Sequence, residues 1–401
     1  MLRRALRYAD KRFCLGQRLD ATSDPRQRRR IPWSVMLRSM MVVVMARLGS
    51  LNASKLAHDT KVRRFWVNGV FPSADRLGDI ADLVAAEELR GIMRAVYTGL
   101  KRGKMIEPVH GFLPLVLDGH EVCASYQRCC PACLERSVNG HTQYYHRVVV
   151  AQLVTKRFCL LLDVELQRRG EDEVAAALRL LRRLYQHYPR AWNIVLADSL
   201  YARANFFRFV HARRDDVLTV VKDERRDLLK ELECRCRRTP PTVLQHNGRC
   251  CQVWDVADCQ GWPDATMPIR VIKSVEVRTV KRQRTGQQEH IHSAWAWATT
   301  CAATGAPLAE LFATAHDRWC IENQGFNDVV NQWHFDHIFK HTPNAIMTFL
   351  LLIMLGHAVF NAFYHCGLHV ALRVRLSRHA VARLLLAEFY HPLAAPFARS
   401  P

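Results

Sequence analysis

The sequence predicts an α/β protein in which a mixed sheet flanked by helices is split by a mostly β insertion and bordered by helical N- and C-terminal regions. Three observations carry this. Helical spacing of apolar residues dominates roughly the first hundred positions. From about 112, short β-branched and apolar runs alternate with amphipathic segments. Between 225 and 300 that alternation gives way to strand-like runs with no convincing helix. The divisions that follow are 1–105 (helical, DNA-binding), 106–224 (first part of the central domain), 225–300 (insertion), 301–340 (second part) and 341–401 (C-terminal helices).

In order, SVMLRSMMVVVMARL is apolar all round, which predicts a buried helix, and the run from Ser73 to Gly103 is periodic with serine and aspartate at capping positions. Just before them, Arg26, Arg28, Arg29 and Arg30 form a basic arm suited to phosphate contacts. Three strands are then expected in FLPLVLDGHEV, YYHRVVVAQLV and RFCLLLDVELQ, a helix in EDEVAAALRLLRRLYQHY, a buried strand in NIVLADSLY, a helix in ANFFRFVHARR and a strand in DVLTVVK. Three strands, helix, strand, helix, strand is the element order of the ribonuclease-H-like domain. The insertion supplies RCCQVWDVADC, MPIRVIKSVEVRTV and AWAWATT as strands, after which PLAELFATAHDRWCIENQGFNDVVNQ returns to helical spacing.

Lysine and arginine outnumber acidic residues 58 to 37, for a net charge of +21. The surplus is spread along the chain, with further clusters at Arg235, Arg237 and Arg238 and at Lys281, Arg282 and Arg284. A distributed excess without a basic amphipathic helix fits a long nucleic-acid footprint better than a membrane surface. The run 345–364 has the length of a membrane span, but Thr348, His357 and Asn361 interrupt it and it stands alone, so a buried core or interface helix is expected. Fourteen cysteines in a long chain without a signal-peptide core point to reduced thiols and the cytoplasm. Cys130 and Cys133 form a Cys-x-x-Cys that supplies two of the four ligands a structural zinc requires, or two thiols that simply pack; a second set is Cys234, Cys236, Cys250 and Cys251.

The chemistry is expected at strand ends. Asp118 closes the first strand in VLDGHE and Asp198 the fourth in VLADSLY, and carboxylates at neighbouring strand ends converge on a hard cation. Glu322, on the helix after the insertion, brings a third carboxylate to the same point.

The strings around these residues resemble the bacterial insertion-sequence DDE transposases, whose third acidic residue sits in a Tyr, Arg, Glu, Lys signature. RWCIENQGFN is similar to that family's Arg-Trp-x-Ile-Glu-Asn core, with Arg318 one helical turn before Glu322. LDGHEVCASYQRCCPACLER with the following YYH, ADSLYARANF and HFDHIFKH resemble the segments around the other motifs, and together the match runs over roughly 72–364. The chain departs from the signature in having Ala315 where the tyrosine falls, Val329 and Val330 where the lysine falls, and His120 in place of a threonine.

The resemblance implies a metal-dependent enzyme that cuts and joins DNA strands at transposon ends, with Asp118, Asp198 and Glu322 holding Mg²⁺ (or Mn²⁺). It implies DNA contacts from Arg318, Asn323, Tyr201 and Arg203. Trp297, with Trp295 beside it, stands in the insertion where hairpin-forming relatives place an aromatic residue that stacks on an extruded base; the alternative is that both pack the insertion's own core. The expected partners are the terminal inverted repeats and the target DNA, bound by a homodimer in the bacterial nucleoid, with no membrane. The two signature departures keep a second reading open, a catalytically inactive relic that binds DNA. A third is a two-metal nuclease of the same fold.

Overall fold

A computed structural model describes residues 1–57, 62–222, 225–282 and 286–397, with the backbone alone for 56, 57, 226 and 391–397. Arg284 of the third basic cluster lies outside the described residues.

One sheet organises the molecule. Its long central strand β3 (His141–Val154) pairs antiparallel with β1 (Pro114–Ser125) on one edge, and on the other with β2 (Leu134–Val138) and β4 (Cys159–Leu166) in tandem. Beyond β1 come β5 (Ile194–Ala197) and β6 (Asp216–Val220), both parallel to it. The mixed order β4-β3-β1-β5-β6, with α6 (Glu173–His187) and α7 (Ala204–His211) as the crossovers, realises the element order expected of a ribonuclease-H-like domain. β3, β4 and β5 are apolar and buried along most of their length, and β1 over its first four residues, as strands covered on both faces must be.

The insertion differs from expectation in two ways. It opens with a helix, α8 (Arg226–Cys236), which the sequence hides because Leu228 and Leu232 are the positions that face the core in an otherwise charged run. It also builds no sheet of its own. The strands β7 (Thr242–His246), β8 (Arg249–Cys259), β9 (Ile269–Lys281) and β10 (Gln288–Thr299) form a meander whose last three residues pair with β6, so the ten strands are continuous. The outer half of the β9–β10 hairpin projects into solvent on both faces, which is why QEHIH carries no apolar alternation.

The N- and C-terminal helices form one layer. α11 (Pro343–Ala362) lies at its centre, packed against β4 and against α3 (Trp33–Met45), α4 (Ala74–Ala81) and α5 (Ala86–Arg102). The single periodic run read after Ser73 is therefore two helices, broken after Ala81; Ser73 caps the first, accepting the Arg76 N–H. α11 is the one helix among the described residues long and apolar enough to cross a membrane, and from Ala345 to Ala362 it is buried inside the protein. Two of its three polar interruptions are paired, while the Thr348 hydroxyl is buried without a hydrogen-bond partner among the described residues. His357 lies 3.0 Å from Asp328 of α10 (Asn327–Trp333), and Arg378, at the start of α13 (Arg378–Phe397), donates to both Asp328 and Asn361 at 2.7 Å. A buried histidine and amide without such partners would each cost about 1–3 kcal/mol. Arg47 stacks over Trp333 and Phe360, at 4.1 and 4.5 Å, and completes this polar core. α1 (Leu2–Phe13), α2 (Leu15–Asp20) and α12 (Val370–Arg375) finish the helical layer.

Candidate active site

Strand register brings the first two carboxylates together. β1 and β5 run parallel with Val116 opposite Leu196 as the last paired residues, and Asp118 and Asp198 each follow two residues on, near enough that Asp198 acts on the Asp118 carboxyl. β5 ends at Ala197, so Asp198 stands just past its carboxyl end, where α/β sheets bind ligands, whereas Asp118 does not close its strand as the sequence suggested but lies inside β1, whose pairing with β3 continues to Ser125. Asp198 caps the short turn Ser199–Tyr201, its Oδ1 accepting the Leu200 N–H at 2.9 Å. Asp118 Oδ1 accepts the Gly119 N–H at the same distance.

The third carboxylate arrives on a helix that changes pitch. α9 (Leu308–His316) tightens into a 3₁₀ turn at Asp317–Trp319, widens into a π turn at Ile321–Phe326 and resumes as α10. Such π turns recur at functional sites because the extra residue re-aims side chains. This one packs on β1 and β4. Phe326 stacks on His120 of β1 at 4.6 Å, and Gly325 sits so close to Gln152 of β3 that any Cβ there would collide with the amide. Glu322 is thereby held over the strand ends with its carboxylate half exposed.

Arg318 ties the three elements together. Its guanidinium lies 3.6 Å from Asp118 Oδ2 and donates to Glu322 Oε1 at 2.8 Å. Even so, the site holds more negative charge than it neutralises. Burial, opposed by Arg318 and reinforced by Asp198, Glu173 and Glu322, pushes the Asp118 carboxyl up to about 7.

Glu173 is the residue that sequence reasoning missed. It opens α6 beside the cap Asp172, is buried, and accepts the Tyr201 hydroxyl at 2.9 Å while its other oxygen lies 2.9 Å from Arg147 of β3. Its carboxylate sits against Gly119, where a Cβ would run into it. Two expected DNA contacts need correction. Tyr201 is fully buried with its hydroxyl engaged by Glu173, so it positions that carboxylate and presents nothing to DNA. Trp297 is 1% exposed, packed among Trp295, Phe312 and His316, so it fills the core between β10 and α9. Its neighbour Trp295 is only partly buried. With Trp319, Asn323, Asn247 and Arg249 it lines a groove of about 400 Å³ beside the Glu322 turn. Arg203 is paired with Asp172 but remains partly exposed.

The cysteines are all free. Among the described residues one group gathers as metal ligands do, Cys130 and Cys133 with His146 and His341; the second cysteine set does not converge.

Against this geometry the comparisons with known proteins are clear in outline. The family model described as "Transposase DDE domain" matches residues 128–358, more than half of the chain, and the chain belongs to that family. The matched span contains Asp198 and Glu322 and begins ten residues beyond Asp118 (128 − 118). The protein is accordingly a DNA transposase, an enzyme of polynucleotidyl transfer, and not a nuclease of another pathway; enzymes of its kind work with divalent metal ions. Among solved structures the chain is similar to a piggyBac transposase synaptic complex with hairpin DNA, at a TM-score of 0.42 and 9% identity, over 99% of this chain and 82% of that one. No curated protein matches the sequence.

Proposed function

We propose that Asp118, Asp198 and Glu322 are the catalytic carboxylates of a cut-and-paste transposase of the bacterial insertion-sequence type, acting on terminal inverted repeats as a homodimer. The observation that carries this reading is the pairing of topology and bridge: Asp118 and Asp198 each lie two residues past the last paired positions of the adjacent parallel strands β1 and β5, while Arg318 spans from Asp118 to Glu322.

The donor set fits Mg²⁺, since the converging groups are hard carboxylate oxygens and Asp118 carries a charge its surroundings do not compensate. Asp118 would be the shared ligand, with Asp198 and Glu322 each serving one ion. Bound there, divalent ions supply charge neutralisation at the attacking and leaving oxygens of a phosphodiester. The protein's own groups do the rest. Arg318 offers a forked donor to a phosphate oxygen next to the scissile bond. Glu173, fixed by Tyr201 and Arg147, holds the Asp118–Gly119 backbone in place from behind. Asn323 and Trp295 face the adjoining groove, where an unpaired base has an aromatic surface to stack on. The exposed Arg28, Arg29 and Arg30 of the 1–105 region, and Arg203, suit sequence-independent phosphate contacts.

The inactive-relic reading rests on Ala315 and on Val329 and Val330, of which Ala315 and Val329 are buried in this fold. Incubating a duplex carrying the element's terminal repeat with Mg²⁺ and the full chain separates the two. Strand cleavage at the repeat, abolished in Asp198→Ala, is the expected result. Specific binding without cleavage by the unaltered chain would establish the relic instead.

A further inference from the structure

A second group of ligand-type side chains lies apart from the carboxylates. Cys130 and Cys133 come from the loop between β1 and β2, His146 from β3, and His341 from the segment between α10 and α11. Their four candidate ligand atoms all lie within 4.8 Å of one another. The two sulfurs are 3.7 Å apart; His146 Nε2 is 3.3 Å from each, and His341 Nε2 is 3.4 Å from Cys133 Sγ.

These are the edges of a small tetrahedron. Ligands at ordinary zinc distances stand about 3.8 Å apart for two sulfurs and about 3.6 Å for sulfur and nitrogen. The sulfurs are too far apart for a disulfide, which closes to about 2.05 Å. Hydrogen bonding does not account for the packing either, because Cys133 Sγ alone meets the Cys130 N–H, Cys130 Sγ and two imidazole nitrogens, and a thiol has one weak proton to share. The Cys130 N–H donates to Cys133 Sγ at 3.2 Å. Cys133 and His146 are buried, and Cys130 and His341 are partly so.

We propose that Cys130, Cys133, His146 and His341 bind one structural Zn²⁺ that clasps the segment leaving the Glu322 helix to the sheet carrying Asp118. Sulfur and nitrogen donors in a closed four-coordinate set select zinc over Mg²⁺. The clasp lies 12 residues beyond Asp118 (130 − 118) and 19 beyond Glu322 (341 − 322), so it restrains both carboxylate-bearing segments from their far ends. The zinc site itself stands on the ligand geometry alone; its role as a clasp on the active site rests also on the carboxylate reading.

Elemental analysis of the full chain, purified without chelator, is expected to give one zinc per chain, with X-ray absorption showing two sulfurs at about 2.3 Å and two nitrogens at about 2.0 Å. His341→Ala and Cys133→Ser should each lower zinc content at least about tenfold, whereas His337→Ala should retain it. Because those variants risk misfolding, Co²⁺ exchanged into the unaltered chain serves as a second measurement and should give the intense visible bands of a tetrahedral, sulfur-ligated ion. Removing zinc at constant Mg²⁺ should open the 334–342 segment to protease. A chain that purifies and stays without zinc, a Cys130–Cys133 disulfide, an octahedral Co²⁺ spectrum, or full zinc content in His341→Ala would each overturn the site. Unchanged protease resistance after zinc removal would overturn the clasp and leave the site, and the carboxylate reading, intact.

Discussion

Asp118 and Glu276 are both buried carboxylates in one sheet, yet their surroundings drive them in opposite directions. Around Glu276, on β9, burial is outweighed by His316, Arg249 and Ser274, with His316 Nε2 at 3.0 Å and Arg249 at 2.7 Å, and the carboxyl is held down at about 2. Around Asp118, burial is joined by three further carboxylates against a single bridging arginine, and the carboxyl rises to about 7. The first arrangement is complete as folded and joins the insertion to α9. On the reading proposed above, the second would be completed by a bound cation.

The largest effect that tests this contrast is on catalysis. Asp198→Ala should lower strand cleavage by at least about a thousandfold, the scale of losing several kcal/mol of charge stabilisation in the transition state. Binding to the terminal repeat, measured by gel shift, should change little. Glu276→Gln should leave cleavage within a few-fold; equal losses in the two variants would erase the distinction. Arg318→Ala comes next, with an expected loss of about a hundredfold. Arg318→Lys should recover only part of this, because a point charge cannot span from Asp118 to Glu322 as the fork does. Full activity in Arg318→Lys would reduce the bridge to a matter of charge.

Glu173→Gln keeps the shape but removes the charge facing Arg147, and an approximately tenfold drop in cleavage rate is expected, with DNA affinity unchanged. The smallest effects are on stability, and they should be opposite in sign. In chelator-treated protein Asp118→Asn should stabilise the fold by about 1 kcal/mol, since it deletes an uncompensated charge. Glu276→Gln should destabilise it by about 2 kcal/mol, the scale of hydrogen bonds to a charged group. The folded Glu276 carboxyl titrates at about 2, below its ordinary 4.5, so its stabilisation is complete above 4.5 and fades as pH falls toward 2. The cost of Glu276→Gln in thermal melts should therefore shrink below pH 4.5; a cost that stays constant with pH would deny the charge any part in it.

Much of the central sheet could be read from the chain because its strands are local and apolar; Asp198 was recognisable as a strand-end carboxylate, whereas Asp118, read the same way, lies inside β1 because the pairing with β3 runs on to Ser125. Glu322 needed the motif string, since 124 residues separate it from Asp198 (322 − 198). Glu173 was hidden behind its neighbour: Asp172 accepts the Ala175 N–H at 2.8 Å as an ordinary helix cap, and two acids at a helix start read as capping alone. Trp295 and Trp297 share a strand face, but alternation does not say where along the hairpin solvent gives way to α9, and that boundary falls between them. His341 and Cys133 meet across 208 residues, a distance no spacing rule spans.

On the reading proposed above, Asp118, Asp198 and Glu322 together hold the divalent ions. Replacing Mg²⁺ with Fe²⁺ in the zinc-retaining full chain and adding ascorbate and peroxide generates hydroxyl radicals wherever the ion is held, and mass spectrometry locates the backbone cuts. The account predicts scission close to 118, 198 and 322 together, suppressed by excess Mg²⁺ and lost in Asp198→Ala. Cuts confined to other segments, or unchanged in that variant, would contradict it.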